Sequence, residues 1–386
     1  MQTFRKILLF ILRIIFFLAI LIGAFWFRKK YISNNTTLPS LQKIQEQKVL
    51  LENPKEIEFQ WQYNDKNYSI KKTFYGSLYD FYVNSPKTYT YQNELSDNWE
   101  KDYYAMFLKK IPNDNSISEL ATSLKQLSQE KKLSNDQIIE LALAFIQSIP
   151  YDHVRAQEIL SGNGKTNYPY ETLYENKGVC SDKSFLLANL LENLGYGVAL
   201  LTFENEKHMA VGIKCPDEFS SYDSGYCYAE TTASGFRIGM IPDINSKEGS
   251  AVPMEKNNYS EISQFDAKKL GEPKIFPVSD GKTYSGITDS LALAKKIDNL
   301  NREINTFRKN LEAQKRDFES DESKLLEMEK KLKKLERNGD YTEYNNLVED
   351  YNDLLKKYKK KIKIYNELIE VYNQKVNYYN SLVKGF

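Results

Sequence analysis

The chain has 386 residues, 41% of them hydrophobic, so it can bury a real core in one or two domains and still carry extended parts. Its 53 basic and 52 acidic residues leave a formal charge of +1, which gives no net field to attract nucleic acid or an acidic polymer. Three cysteines, at 180, 215 and 227, are too few for a disulfide scaffold, and no C-x-x-C pair points to zinc.

Residues 7–27 form an almost unbroken apolar run, long enough as a helix to cross a hydrocarbon core of roughly 30 Å. Arg13 near one end can snorkel to the headgroups. A cleaved signal peptide would have a shorter apolar region followed by small residues, whereas bulky Phe25, Trp26 and Phe27 follow here. Residues 1–30 are therefore expected to be a retained membrane anchor. Arg5 and Lys6 precede the run and Arg28, Lys29 and Lys30 follow it, so basic residues flank both sides. A single N-terminal anchor before a long polar chain usually leaves the body outside, and that orientation is expected.

Residues 31–54 read as a polar stalk. The alternation E-I-E-F-Q-W-Q-Y, then N-D-K-N, then Y-S-I-K-K-T-F predicts two strands around a turn, opening an α+β region over 55–132 that packs on the core. Ser134 with Gln137 makes a capping box. Ile138, Leu141, Ala142, Phe145 and Ile146 recur at helical spacing, and Pro150 ends the helix.

Cys180 stands immediately before a strongly apolar stretch carrying Phe185, Leu186, Leu190, Leu191 and Leu194, which Gly195 closes, so it begins a helix. Unpaired amides and the helix dipole at that end favour a thiolate and can also hold an oxyanion. Residues 197–203 read as a strand, and 207–213 alternate so that His208 faces away from Met209, Val211 and Ile213. Residues 226–232 read as the next strand and carry Glu230. If His208 and Glu230 are directly opposed across this antiparallel pair, the carboxylate orients the imidazole that activates the thiol. That pairing also puts Cys215 opposite Asp223 and Cys227 opposite Val211. A bridge would then need a bulge or a slipped register, and both are expected to be free thiols.

The ordered set of a helix-start Cys, a strand His and a next-strand carboxylate resembles the transglutaminase-like superfamily. F-I-Q-S-I-P-Y at 145–151, Y-P-Y-E-T-L at 168–173, K-G-V-C-S-D around Cys180, L-G-Y-G-V at 194–198 and K-H-M-A-V-G at 207–212 look like its bacterial and archaeal members. The resemblance implies a papain-like α+β core with an antiparallel sheet over 133–242. It also implies a cysteine protease, amidase or acyltransferase acting on a protein or peptide without metal or cofactor, with Cys180, His208 and Glu230 as catalytic residues. The family commonly has Asp in an Asp-Pro-Thr setting where this chain has Glu230 in Glu-Thr-Thr. Hydrolysis is expected over transfer; the other class of reading is a catalytically silent scaffold that holds a partner at the membrane. His153 reads as a solvent-exposed or substrate-edge histidine. Gln147 fits an oxyanion donor and a helix-end cap equally and is not assigned to the triad.

Residues 243–288 are polar, Gly-bearing and without periodicity, which predicts a linker. Beyond it Leu293, Ile297, Leu300, Ile304, Phe307 and Leu311, then Phe318, Leu325, Met328, Leu332 and Leu335, step as a heptad seam with Gln314 and Asp321 as polar exceptions. Asn338-Gly339 stops it. A second seam then alternates Tyr344, Tyr351, Tyr358, Tyr365, Tyr372 and Tyr379 with Val348, Leu355, Ile362, Ile369, Val376 and Val383. Residues 289–386 are expected to fold back as an antiparallel coiled-coil hairpin about 70 Å long, with the tyrosine rings largely buried in the seam, and a protein partner is expected through the coiled coil.

Overall fold

A computed structural model describes residues 48–91, 95–245, 247–252 and 267–384. The expected anchor at 1–30, and the stalk as far as residue 47, lie outside the described residues. Among the described residues no helix is long and apolar enough to cross a membrane. The chain divides into two units, Met1–Val49 with Lys109–Asp114, and Leu50–Leu108 with Asn115–Phe386. In the first, the Val49 N–H donates to Asn113 Oδ1 at 3.4 Å. All that follows concerns the second.

Strands β1 (Pro54–Tyr63) and β2 (Lys66–Tyr75) pair antiparallel, as the alternation requires. Ile57, Phe59, Trp61 and Tyr63 are buried while Glu56, Glu58, Gln60 and Gln62 face water. The turn at Asn64 and Asp65 has φ of 48° and 57°, the left-handed pair a two-residue hairpin needs and these two residue types tolerate. Helices α1 (Gly76–Val83), α2 (Trp99–Leu108), α3 (Ser116–Glu130) and α4 (Asn135–Ser148) follow. The capping box at α4 is present, with Gln137 N–H donating to Ser134 Oγ at 3.2 Å and Ser134 N–H to Gln137 Oε1 at 2.9 Å. Phe59 and Trp61 meet Phe145 of α4 edge-on at 5.3 and 5.2 Å, fixing the hairpin to the core. Buried Glu140 of α4 reinforces that joint, accepting from Tyr63 Oη and Tyr284 Oη, each at 2.6 Å.

Short helices α5 (His153–Leu160) and α6 (Pro169–Glu175) lead to the central helix α7 (Cys180–Leu194). Every residue of α7 from Asp182 to Leu191 is buried, as expected of a helix surrounded on all sides. Phe185 stacks on Phe107 of α2 at 4.9 Å; each such fully buried ring contributes roughly 1.5–3 kcal/mol. The main sheet packs against α7 and runs in the order β5 (Tyr226–Ala229), β4 (His208–Lys214), β3 (Val198–Phe203), then β9 (Lys274–Ser279).

Three sequence expectations need correction. The segment 243–288 is more than a linker. It supplies β9, which pairs with β3, and a small sheet of β6 (Asp243–Asn245), β7 (Ser250–Ala251) and β8 (Ala267–Lys269). β6, β7 and β8, of two or three residues each, have no room to display a period, and Pro277 interrupts β9, so their long-range partners define them. Secondly, the β4–β5 ladder pairs Val211 with Ala229 and Ile213 with Cys227, two residues away from direct opposition of His208 and Glu230. Thirdly, Cys215 and Cys227 are disulfide-bonded, with Cα atoms 5.7 Å apart. The shifted register is the reason, because it moves Cys227 two residues closer to Cys215, just past the end of β4.

The C-terminus is a pair of long helices, α8 (Ile287–Asn338) and α9 (Tyr341–Lys384), reversed at Gly339, whose φ of 76° a glycine adopts without strain. The two helices pack against each other along the expected seam: Ile297, Leu300, Ile304, Leu311, Leu325 and Leu335 are buried, and Phe318 meets Tyr365 at 5.0 Å. Asp321, a polar exception in the sequence, is buried and paired with Lys361 at 2.6 Å. The tyrosines are only half-buried except Tyr379, since a two-helix seam leaves the edge of a long ring in water.

Candidate active site

Cys180 is the first residue of α7 because Val179 before it is extended and Asp182, in the first turn, accepts the Val179 N–H at 3.1 Å. The start of the helix is held from two further sides. Asp152 N–H donates to Gly178 O at 3.1 Å, which docks the end of the 145–152 stretch alongside the approach to the cysteine. Fully buried Lys183 donates to Ile149 O at 2.7 Å and to Gln147 O at 3.4 Å, tying α7 to the end of α4. Burial pushes the Lys183 ammonium down to about 7 against the opposing charge of Glu230. The Asp182 carboxyl is pushed up by burial to about 7, although the Asn167 and Val179 N–H groups and Arg155 favour its anion. Cys180 itself is half-buried and is a free thiol.

His208 opens β4 and is 4% exposed, whereas Glu230, the residue after β5, is fully buried. His208 Nε2 lies 3.2 Å from Glu230 Oε2 and 3.1 Å from Tyr228 Oη. The remaining carboxylate capacity is filled: Tyr228 Oη donates to Oε2 at 2.6 Å, and Thr232 N–H and Oγ1 donate to Oε1 at 2.7 and 2.6 Å. Burial alone would push the imidazole down. The charge of Glu230 outweighs it, Cys180 adds to the same effect, and the His208 pKa is held up at about 10. Burial would likewise raise Glu230, but the charge of His208 and three hydrogen-bonding neighbours bring it down to about 2. The pair is therefore an imidazolium facing a carboxylate across the neutral range.

The sulfur of Cys180 has its hydrogen bond to Lys207 O at 3.9 Å, and His208 Nδ1 is bonded to Gly249 O at 2.7 Å. His208 and Glu230 thus close on one another, and Cys180 acts on the imidazole through side-chain hydrogen bonding and through its charge, both of which raise the His208 pKa. Gly249 has φ of 65°, and a Cβ there would run into Lys207 O, so only glycine lets the 247–252 turn approach the site this closely. Tyr151 Oη donates to Glu248 O at 2.5 Å, and exposed His153 pairs through Nδ1 with Glu248 Oε2 at 2.9 Å, securing the same turn from the other side. The first backbone N–H groups of α7 have no partner within the helix, as at any helix start.

Gln147 does not donate toward Cys180. Its Nε2 donates to Glu230 O at 2.9 Å and Phe236 O at 2.7 Å, so it steadies the backbone that carries the carboxylate. Tyr228 and Gly249 are the contributors that sequence reasoning overlooked. Tyr228 had a signal, since it lies two residues before Glu230 and so shares its side of the strand; Gly249 had none, lying in a stretch without periodicity. A cleft of about 710 Å³ lined by Phe236, Met240, Ile241, Ile297 and Arg302 sits at the base of α8, and Cys180 does not line it. Among the described residues no cluster of His, Cys, Asp and Glu could hold a metal ion.

Residues 115–227 match a family model described as a transglutaminase-like domain. The matched span, less than a third of the chain, takes in Cys180 and His208 and stops short of Glu230. No curated protein and no solved structure matches the chain. Over that span the chain is similar to a domain typical of the cysteine protease and transglutaminase superfamily.

Proposed function

We propose that the protein is a thiol enzyme that cleaves peptide or side-chain amide bonds through Cys180, His208 and Glu230, with water as the acyl acceptor. The observation that carries this reading is the buried His208–Glu230 contact at 3.2 Å, placed so that the helix-start thiol feels the imidazole it orients. The Cys180 thiolate attacks the amide carbonyl, and the α7 N–H groups hold the oxyanion. Imidazolium His208 gives its proton to the departing amine, leaving a thioester. His208 then takes a proton from water as the water attacks the thioester, releasing the acid and restoring the Cys180 thiolate beside imidazolium His208. Glu230 keeps the ring oriented and its charge balanced throughout. An amine in place of water would give transfer by the same steps.

The apolar run 7–27 supports placing this body at a membrane, and the Cys215–Cys227 bridge supports an oxidising, extracytoplasmic location. Retention of the full-length protein in membranes through an alkaline carbonate wash checks the anchor. The coiled coil offers a surface for a protein partner.

The second reading, a silent scaffold, is favoured by one observation: His208 Nδ1, the ring nitrogen turned away from Glu230, is engaged by Gly249 O at 2.7 Å. Turnover of a peptide library by the wild type and by Cys180→Ala, with circular dichroism beside it, separates the two. Loss of turnover in a folded variant is expected; equal turnover would remove Cys180 from the mechanism.

A further inference from the structure

Tyr228 is fully buried, with its ring packed in a cluster with Leu201, Phe203 and Ala210 on the sheet. Its hydroxyl stands between the two charged partners of the site, 2.6 Å from Glu230 Oε2 and 3.1 Å from His208 Nε2. One hydroxyl proton serves one acceptor. An ionised carboxylate can only accept and an imidazolium can only donate, so the proton goes to Glu230 and the hydroxyl lone pair is left for His208. The Nε2–H is thereby shared between Glu230 Oε2 and Tyr228 Oη, at nearly equal distances. Burial, followed by the charge of Glu230, keeps the phenol protonated far above its ordinary range, so this polarity does not reverse at working pH.

We propose that Tyr228 is a positioning residue of the acyl-transfer site, its hydroxyl closing a triangle with His208 and Glu230 that fixes the plane of the imidazole facing Cys180. This rests on the reading of those three residues given above. The triangle answers a specific problem. Glutamate has one more rotatable bond than aspartate, and here Thr232 anchors one carboxylate oxygen while Tyr228 anchors the other. The other ionisable groups that act on the triangle are Cys180, Lys183, Tyr151, whose hydroxyl feels the charge of Glu230, and Tyr222 beside Tyr228.

The test uses the full-length protein and two readouts. With Cys215 and Cys227 bridged, Cys180 is the one free thiol of three cysteines, so iodoacetamide alkylation across pH reports its thiolate alone. With only two histidines in the chain, 153 and 208, the ring signals of ¹³C-labelled histidine give the His208 titration directly. Tyr228→Phe keeps the ring and removes the hydroxyl. The expected result is an unchanged circular dichroism spectrum, a His208 midpoint lowered by about one pH unit, and an acid limb of alkylation moved to higher pH. A ring that serves packing alone would leave both profiles where they are, and that result overturns the proposal. Should Tyr228→Phe not fold, difluorotyrosine at position 228 keeps the shape while strengthening the donor and weakening the acceptor; an unmoved His208 midpoint there overturns it equally. His208→Ala in the same assay separates the two levels of inference. If it leaves the alkylation profile of Cys180 unaltered, the acyl-transfer reading itself fails; if it shifts the profile and Tyr228→Phe does not, the role of Tyr228 alone fails.

Discussion

His208 and Glu230 meet at 3.2 Å without lying opposite one another in the ladder that joins their strands. The β4–β5 register is displaced by two residues from direct pairing. A shift of two keeps every side chain on its own face, whereas a shift of one would have turned one partner away from the other. Glu230 is the first residue beyond β5, where the chain leaves the ladder, and its longer side chain spans the diagonal. The disulfide between Cys215 and Cys227 belongs to the same displaced register, so the bridge and the buried ion pair are two consequences of one alignment.

Glu230→Gln is expected to leave His208 neutral at pH 7, because burial then pushes the imidazole down with no carboxylate to oppose it. Removing one partner of a buried pair costs about 3–5 kcal/mol. The His208 pKa is raised in the folded protein, so its share of that stability is full below about 6.5 and is lost as the pH rises through about 10. The Glu230 pKa is lowered, so its share is present above about 4.5 and is lost as the pH falls toward about 2. Urea midpoints of the two proteins should therefore differ most between pH 4.5 and 6.5 and converge toward pH 10. A constant difference across that range would contradict the ion pair.

The paired substitution Cys215→Ser with Cys227→Ser should lower stability by about 3 kcal/mol, the chain-entropy value for a loop closed over 12 residues. Substitution is preferable to a thiol reductant here, since the reductant would itself consume the alkylating reagent that reports on Cys180. Alkylation of Cys180 in the variant should lose part of its dependence on His208, as the strand ends that align His208 and Glu230 are no longer tied. Non-reduced peptide mapping of the wild type should yield the 215–227 cross-link.

The base of the coiled coil supports the site from behind. Ile297, Leu300, Ile304, Tyr379 and Val383 share one cluster with Phe236, Ile244 and Ala251. The Ala251 N–H donates to Thr232 Oγ1 at 2.7 Å, and Thr232 in turn holds Glu230. Ile297→Ala should therefore cost about 2–5 kcal/mol and also slow alkylation of Cys180. Leu325, buried in the same seam about 40 Å further along α8, is the control: Leu325→Ala should destabilise the hairpin and leave Cys180 unaffected. Equal effects of the two variants on the thiol would remove the link between base and site.

Much of this molecule follows from local pattern. The period-2 alternation of β1, the capping box of α4, the helix beginning at Cys180 and the two heptad seams each arise from neighbours within a few turns of chain, and such short-range terms can be read from the sequence. The order Cys180, His208, Glu230 was legible along the chain: Cys180 begins the helix that its apolar spacing announces, and His208 and Glu230 stand at the start of β4 and just past β5, two segments rich in strand-forming residues. The tertiary structure alone decided the β4–β5 register, the 215–227 bridge, the recruitment of β9 beside β3 and the closure of Gly249 over His208. Those four depend on which distant segments bury against one another. In β4 every position but the last is buried, so no alternation of polar and apolar residues specified a register. In the 243–288 segment β6, β7 and β8 are too short to carry a period, and β9, interrupted by Pro277, is defined by its distant partner β3.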